Sequence, residues 1–301
     1  MQGSWAAGRT QSPIRPGRTE RAVKKRVLTA TVCLVILIPI LWFSDRVFFP
    51  ALLAALSCVA VSEAARCFGI RTLGVLSWPF YILAAALPLL TRYIGGDAYQ
   101  KYVLASAGLI CLYAFMVATF SGGRLTFHKT ASFVALTAYI LLGFNSIVMV
   151  RDNEAYEGRF MFMMILLGAW VTDAGAQLTG IAFGKRKLLE KVSPHKTVEG
   201  AVGGVVCGIA GLIVYALIVS HFYAIKVNYT ALVLFAFVIT IVDQAGDLIA
   251  SYIKRESGIK DYGTLFPGHG GVIDRVDSVA ANAIVILAYT LYGLPAVFIS
   301  A

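Results

Sequence analysis

Apolar residues in this chain come in long blocks divided by short polar stretches, not at the spacing of a soluble amphipathic helix or strand. Nine blocks can be drawn, at about 27–43, 47–62, 73–90, 102–120, 131–150, 160–183, 201–219, 230–253 and 278–300. A membrane-spanning helix needs about 20 such residues, within a range of about 17–25. In hydrocarbon every backbone amide must find an internal partner, so the blocks predict helices. The predicted fold class is all-α, a polytopic integral membrane protein of about nine transmembrane helices. The first two blocks are short, and a tight hairpin that does not cross fully is an alternative for them. Residues 1–26 are polar and carry seven Lys/Arg, which predicts a flexible basic tail. No small-residue cleavage site follows the first block and a second begins at Val47, so the first reads as a retained anchor rather than a signal peptide. The chain thus divides into a tail (1–26), N-terminal helices serving as scaffold and candidate dimer contact (27–150), and a C-terminal region that holds the chemistry (151–301).

Composition agrees with the blocks. Hydrophobic residues make up 58% of the chain and charged ones 14%, against about 45–50% and about 25% in soluble domains. The net charge of +10 would by itself admit a nucleic-acid partner, but the cations lie between apolar blocks, facing anionic lipid and anionic substrates. With the N-terminus in the cytoplasm, alternating crossings put 20 Lys/Arg inside. Six lie outside, namely Arg46, Arg92, Lys101, Arg151, Arg159 and Lys226. That asymmetry fixes the orientation and favours an odd number of spans. Cys33, Cys58, Cys67, Cys111 and Cys207 show no CxxC spacing, so neither a disulfide framework nor a zinc site is predicted.

Carboxylates inside membrane helices cost about 2.5–3.5 kcal/mol each on insertion scales, and so mark function or a buried partner. Asp173, Asp243 and Asp247 lie in such blocks. Asp243, Asp247, Ser251 and Lys254 are spaced 4, 4 and 3 apart and share one helix face, which descends toward Lys254 and Arg255. The ninth block is preceded by Asp274, Arg275 and Asp277, so Asp247 and Asp274 can meet at one level. Together they make an oxygen-rich pair suited to Mg²⁺, which keeps several waters and takes one or two carboxylates plus substrate phosphates. Between them runs Lys260-Asp261-Tyr262-Gly263-Thr264-Leu265-Phe266-Pro267-Gly268-His269-Gly270-Gly271, whose glycines allow backbone amides close to a phosphate. A second inner loop carries Gly184-Lys185-Arg186-Lys187 and Ser193-Pro194-His195-Lys196-Thr197-Val198-Glu199-Gly200, with hydroxyls and cations suited to phosphate oxygens. Asp173 shares a face with Gln177 and Gly180. All of this falls on the inner side. The residues alone lead to a membrane enzyme acting on a phosphate-bearing substrate with a divalent metal. A transporter also uses intramembrane carboxylates, but the clustering at one face and the lack of a visible inverted repeat argue against it.

The run Ser251-x-x-Lys254-Arg255-x4-Lys260-Asp261-x-Gly263-x3-Pro267-Gly268-His269-Gly270-Gly271-x-x-Asp274-Arg275-x-Asp277 resembles the signature of the phosphatidate cytidylyltransferases (CDP-diacylglycerol synthases). Thr172-Asp173-Ala174, Gly184-Lys185 and Ser193-Pro194-His195-Lys196-Thr197-x-Glu199-Gly200 resemble a second block of that family. Together they cover roughly 160–280. His195 stands where the family often has Lys, and Ile181 follows Gly180 where a basic residue is common. The resemblance implies a helical homodimer in the bacterial inner membrane with its site facing the cytoplasm, and the transfer of a cytidylyl group from CTP to phosphatidate. It implies Mg²⁺ held by Asp247 and Asp274, with a second, monovalent or divalent, cation left open. Asp277, Lys254 and Arg275 join those two as candidate catalytic residues. Asp173, Ser193, Lys196, Thr197, Ser251, Arg255, Lys260, His269, Gly270 and Gly271 are candidate substrate contacts. A CTP-dependent lipid-alcohol kinase is the neighbouring alternative, separable by its products. No nucleic acid is implied.

Overall fold

Close glycine contacts and polar caps decide how the helices meet in the computed structural model, which describes residues 39, 41–94, 96–153, 157–223, 225–268, 270–294 and 299–300. Eight helices of 16 residues or more lie within the described residues: α1 (Phe48–Cys67), α2 (Trp78–Tyr93), α3 (Gly96–Thr119), α4 (Phe127–Arg151), α5 (Gly158–Phe183), α6 (Val198–Tyr223), α7 (Tyr229–Glu256) and α8 (Ile273–Leu291). Five of them, α1 and α4 to α7, are long and apolar enough to cross a membrane. Of the others, α2 has 16 residues with Pro88 inside it, and α8 carries Asp274, Arg275 and Asp277 near its start. The second to eighth apolar blocks each correspond to one helix, α1 to α7, with ends shifted by a few residues. The basic tail and most of the first block lie outside the described residues.

Two expectations need correction. The ninth block does not run as helix to residue 300. It stops at Leu291, where Gly293 takes φ +69° and its amide bonds back to Thr290 O, a left-handed helix stop that hydropathy alone does not register. The chain is also not purely helical. β1 (Lys187–Leu189) pairs antiparallel with β2 (Ser193–Thr197), and β3 (Lys226–Val227) with β4 (Ile299–Ser300). These strands are too short to leave an alternating pattern. They satisfy backbone groups between helices, where no helix supplies partners.

Helix starts follow local chemistry. Thr126 caps α4 by accepting from Lys129 N at 3.3 Å, and Asn228 caps α7 by accepting from Ala231 N at 3.2 Å. α8 packs against α4, α5 and α7 and is buried along most of its length. Two glycines allow its neighbours in. A Cβ at Gly143 of α4 would lie 2.4 Å from Ala280 Cβ, and one at Gly246 of α7 would lie 2.8 Å from Ala281 Cβ. Gly143→Ala is therefore expected to lower stability by about 1–3 kcal/mol through overpacking, read as a fall in the thermal midpoint of the detergent-solubilised protein. An unchanged midpoint would mean that α4 and α8 can separate freely.

At the end of the bundle away from the glycine-rich loop, Arg92 binds both carboxylate oxygens of Asp152 at 2.8 Å and the carbonyls of Arg46 and Ser44 at 2.7 and 2.9 Å. Arg151 donates to Ser44 Oγ at 2.8 Å. Cations that the charge count assigns to the outer side thus gather at one end, and the glycine-rich loop and the β1–β2 hairpin lie at the other.

Candidate active site

The close approach of α7 to α8 at Gly246 puts the next residue, Asp247, beside the start of α8. Asp247 is half-buried. Its Oδ2 forms an ion pair with Lys196 Nζ from β2, and its Oδ1 accepts a 3.3 Å bond from Ser251 Oγ on the next turn. Asp277 is buried on α8; its Oδ1 accepts from Ser278 N at 2.9 Å. Asp277 lies within electrostatic reach of Asp247 and Asp173, and Asp243 within reach of all three. Asp247 and Lys196 are thus joined directly, and Asp173, Asp243 and Asp277 from α5, α7 and α8 lie in the same charged neighbourhood.

Asp243, one turn below Asp247, is fully buried. Its Oδ1 accepts from Asn282 Nδ2 at 3.3 Å, its carbonyl accepts from Ser278 Oγ at 3.1 Å, and its Oδ2 has no hydrogen-bond partner among the described residues.

Asp274 is organised differently. Its Oδ1 accepts from Lys254 Nζ at 2.8 Å, while Oδ2 accepts from Tyr262 N at 2.8 Å and Gly271 N at 2.9 Å. This carboxylate ties the glycine-rich loop to α8 and to the end of α7. The Tyr262 hydroxyl donates to Ala250 O at 3.0 Å, and burial pushes its pKa up, which keeps that donor protonated. The loop's turn closes with Phe266 N on Gly270 O at 2.9 Å and needs positive φ at Gly268 (+78°) and Gly270 (+87°), which glycine adopts without strain. His269 lies outside the described residues.

Two cavities flank this cluster. One of about 490 Å³ is lined by Asp173, Gln177, Gly180, Ile181, Ser193, His195, Lys196, Thr197 and Gln244. The other, of about 570 Å³, is lined by Lys260, Asp261, Gly263, Thr264, Gly268, Gly270 and Arg275. Asp173 on the first wall and Arg275 on the second are close enough to interact electrostatically. Arg275 is exposed.

Other residues of these loops make bonds that hold the elements together. Thr197 Oγ1 caps the start of α6 by accepting from Gly200 N at 3.1 Å, and Arg255 Nε donates to Val192 O at 3.2 Å, tying the hairpin to α7. Glu199 gathers the 185–186 backbone amides at 3.0 and 3.1 Å and the Arg186 guanidinium at 3.1 Å.

A divalent cation of the Mg²⁺ type would need hard oxygen donors with free lone pairs. Asp247 fits, since only a long hydroxyl bond and one ammonium engage it, and so does Asp277, which has one oxygen in use. Asp274 already accepts three bonds, leaving one of about four lone-pair sites. Among the described residues no three His, Cys, Asp or Glu side chains are placed to form a metal cage by themselves. The donor set therefore suits a cation that also keeps water or takes substrate oxygens.

Two contributors were missed in sequence. Glu63 of α1 accepts from Val272 N and Ile273 N, both at 2.9 Å, and Tyr139 of α4 donates to Asp277 O at 2.8 Å. Glu63 had one available signal: it is an acidic residue in the last turn of an apolar helix. Tyr139 had none.

The profile of a family described as the cytidylyltransferase family matches residues 24–292. Similar curated proteins, each spanning 85% of this chain, are phosphatidate cytidylyltransferases of bacteria. That of Staphylococcus epidermidis is 33% identical over 262 residues, 94% of the relative. That of Staphylococcus haemolyticus is 31% identical over 261 residues, also 94%. That of Bacillus subtilis is 28% identical over 263 residues, 93% of the relative.

Proposed function

The chain belongs to the cytidylyltransferase family, and we propose that it transfers the cytidylyl group of CTP to phosphatidate, giving CDP-diacylglycerol and pyrophosphate. The names of its relatives support that choice of substrates. The observation that carries the reading is the grouping of Asp173, Asp247, Asp277, Lys196 and Arg275 at one end of the helices, beside two cavities, one lined by Asp173 and Lys196 and the other by Arg275.

A phosphate oxygen of phosphatidate attacks the α-phosphorus of CTP. A new P–O bond forms there, the bond from the α-phosphorus to the bridging oxygen breaks, and pyrophosphate leaves with that electron pair. A phosphate monoester is already nucleophilic at neutral pH, so no side chain has to take a proton, and catalysis rests on positioning and charge neutralisation. Arg275, exposed on its cavity wall, offers a planar fork for one phosphate. Lys196 is shared between Asp247 and a second phosphate, and Lys260 stands on the wall of the glycine-rich loop. Ser193 lines the opposite cavity. Ser251 steadies Asp247, and Lys254 acts through Asp274 rather than on substrate. Bound Mg²⁺ would neutralise charge on the reacting phosphates, held by Asp247 with Asp274 or Asp277 as second carboxylate. In the same reading the chain crosses a bacterial inner membrane about nine times as a homodimer, its site faces the cytoplasm, where CTP is, and the acyl chains enter between helices.

The test is pyrophosphate release from detergent-purified protein given CTP, Mg²⁺ and phosphatidate, each omitted in turn. Release that needs all three, with a CDP-lipid on chromatography, is expected. CDP together with a phosphorylated lipid alcohol would instead make the protein a kinase, and nucleotide-independent uptake into proteoliposomes would make it a transporter.

A further inference from the structure

Glu63 is buried, with 1% of its surface exposed, on a helix that lines neither cavity. A buried carboxylate is a costly way to fill space; an apolar side chain would pack there more cheaply. What it does is accept the amides of Val272 and Ile273 at 2.9 Å each, where the residue preceding α8 has no capping side chain of its own. Without it two buried donors at a helix start would lack partners. The glycine-rich loop is shaped around the same group. A Cβ at Gly263 would come 2.2 Å from Glu63 Oε1, and one at Gly271 would come 2.3 Å from it. One carboxylate from the first half of the chain is thus seated against both ends of the 263–271 segment and on the first amides of α8. Asp274 and Arg275 follow at once, and Asp277 one turn later.

We infer that Glu63 is a positioning residue, fixing the start of α8 and the glycine-rich loop so that Asp274 and Asp277 keep their places in the site and Arg275 keeps its place on the cavity wall. Through it the N-terminal half takes part in the chemistry as well as in the scaffold. The inference rests on the transferase reading for its kinetic consequence, though not for its structural one.

The experiment compares wild type with Glu63→Gln, which offers one acceptor where two are used, and Gly263→Ala, which keeps the carboxylate but crowds it. In Glu63→Gln, kcat per folded molecule should fall roughly tenfold or more, with KM for CTP and for phosphatidate within about threefold of wild type. Gly263→Ala should repeat this pattern in weaker form. Amide hydrogen exchange should rise in peptides from 258–280 and stay unchanged in those from α5 and α6. The inference is overturned if kcat stays within about twofold in both variants, or if exchange in 258–280 does not change. A rise spread over the whole chain would also overturn it, leaving Glu63 an ordinary packing residue. Should Glu63→Gln not fold, Gly263→Ala decides by the same criteria. Should wild type make no CDP-lipid, the transferase reading fails on that result, and the exchange measurement alone judges the clamp.

Discussion

Asp247→Asn is expected to give a folded, membrane-inserted protein that turns over at below about one hundredth of the wild-type rate, a loss of at least about 2.7 kcal/mol. The fold should tolerate the change because little depends on this carboxylate. Its side chain is 27% exposed and that of its partner Lys196 is 25% exposed, so water can still reach an ammonium left without its carboxylate. The bond from Ser251 is long at 3.3 Å. Turnover should not tolerate it. Asp247 sits where charges from Asp173 and Asp277 meet, and polyphosphate can enter only if cations separate it from them. Asparagine keeps the shape but removes the negative charge that orders Lys196 and would hold a divalent cation. Assays of CDP-lipid formation at rising Mg²⁺, beside thermal midpoints, separate the effects. A near-normal midpoint, a lost rate and a raised Mg²⁺ requirement are expected. A variant retaining more than about a tenth of the rate, costing under about 1.4 kcal/mol, would remove Asp247 from the cation site.

Hydropathy made the seven helices α1 to α7 legible because a membrane span needs an unbroken apolar run, and such a run is visible without any tertiary information. The shared face of Asp243, Asp247 and Ser251 was legible for a similar reason, since helical spacing is a local property. What spacing could not provide is which elements meet. The contact between α7 and α8 depends on Gly246 lying opposite Ala281, and a glycine in an apolar block looks the same whether it faces lipid or a helix. The same limit hid Glu63, whose partners are 209 and 210 residues away.

Several candidate site residues make structural bonds that spacing did not show. The glycine-rich loop invited a phosphate cradle, yet the amide of Gly271 is spent on Asp274, and Thr197, a candidate substrate contact, caps α6. Cations in the 184–187 run show the same division: Arg186 is engaged by Glu199, and Lys187 donates to Pro194 O at 2.6 Å. A hydroxyl or a cation next to glycine and proline suits a helix start as well as it suits a phosphate, and sequence does not distinguish the two. Short strands and the stop at Gly293 escaped because each rests on backbone bonds over a few residues.

Asp274→Asn should differ from Asp247→Asn by striking fold and turnover together. With 3% of its side chain exposed, Asp274 accepts one ammonium and two backbone amides. An asparagine there cannot satisfy all three. If its carbonyl faces Tyr262 N and Gly271 N, its NH₂ meets the Lys254 ammonium; if flipped, its NH₂ meets the two amides. Removing one partner of a buried ion pair costs about 3–5 kcal/mol, and Lys254, 12% exposed in its side chain and 5.6 Å from the Tyr262 ring centroid, has little freedom to reach water. The expected result is a thermal midpoint several degrees lower and a rate per folded molecule below about one thousandth of wild type, roughly 4 kcal/mol of barrier. Pairing it with Lys254→Met removes the stranded charge, so the double variant should regain part of the midpoint, with a coupling of about 0.5–3 kcal/mol. Its turnover should stay lost, because Met restores neither the carboxylate nor the bonds that set the loop beside Arg275. If the double variant recovered turnover as well, Asp274 would be a counterion to Lys254 and nothing more, and the second carboxylate for a cation would have to be Asp277.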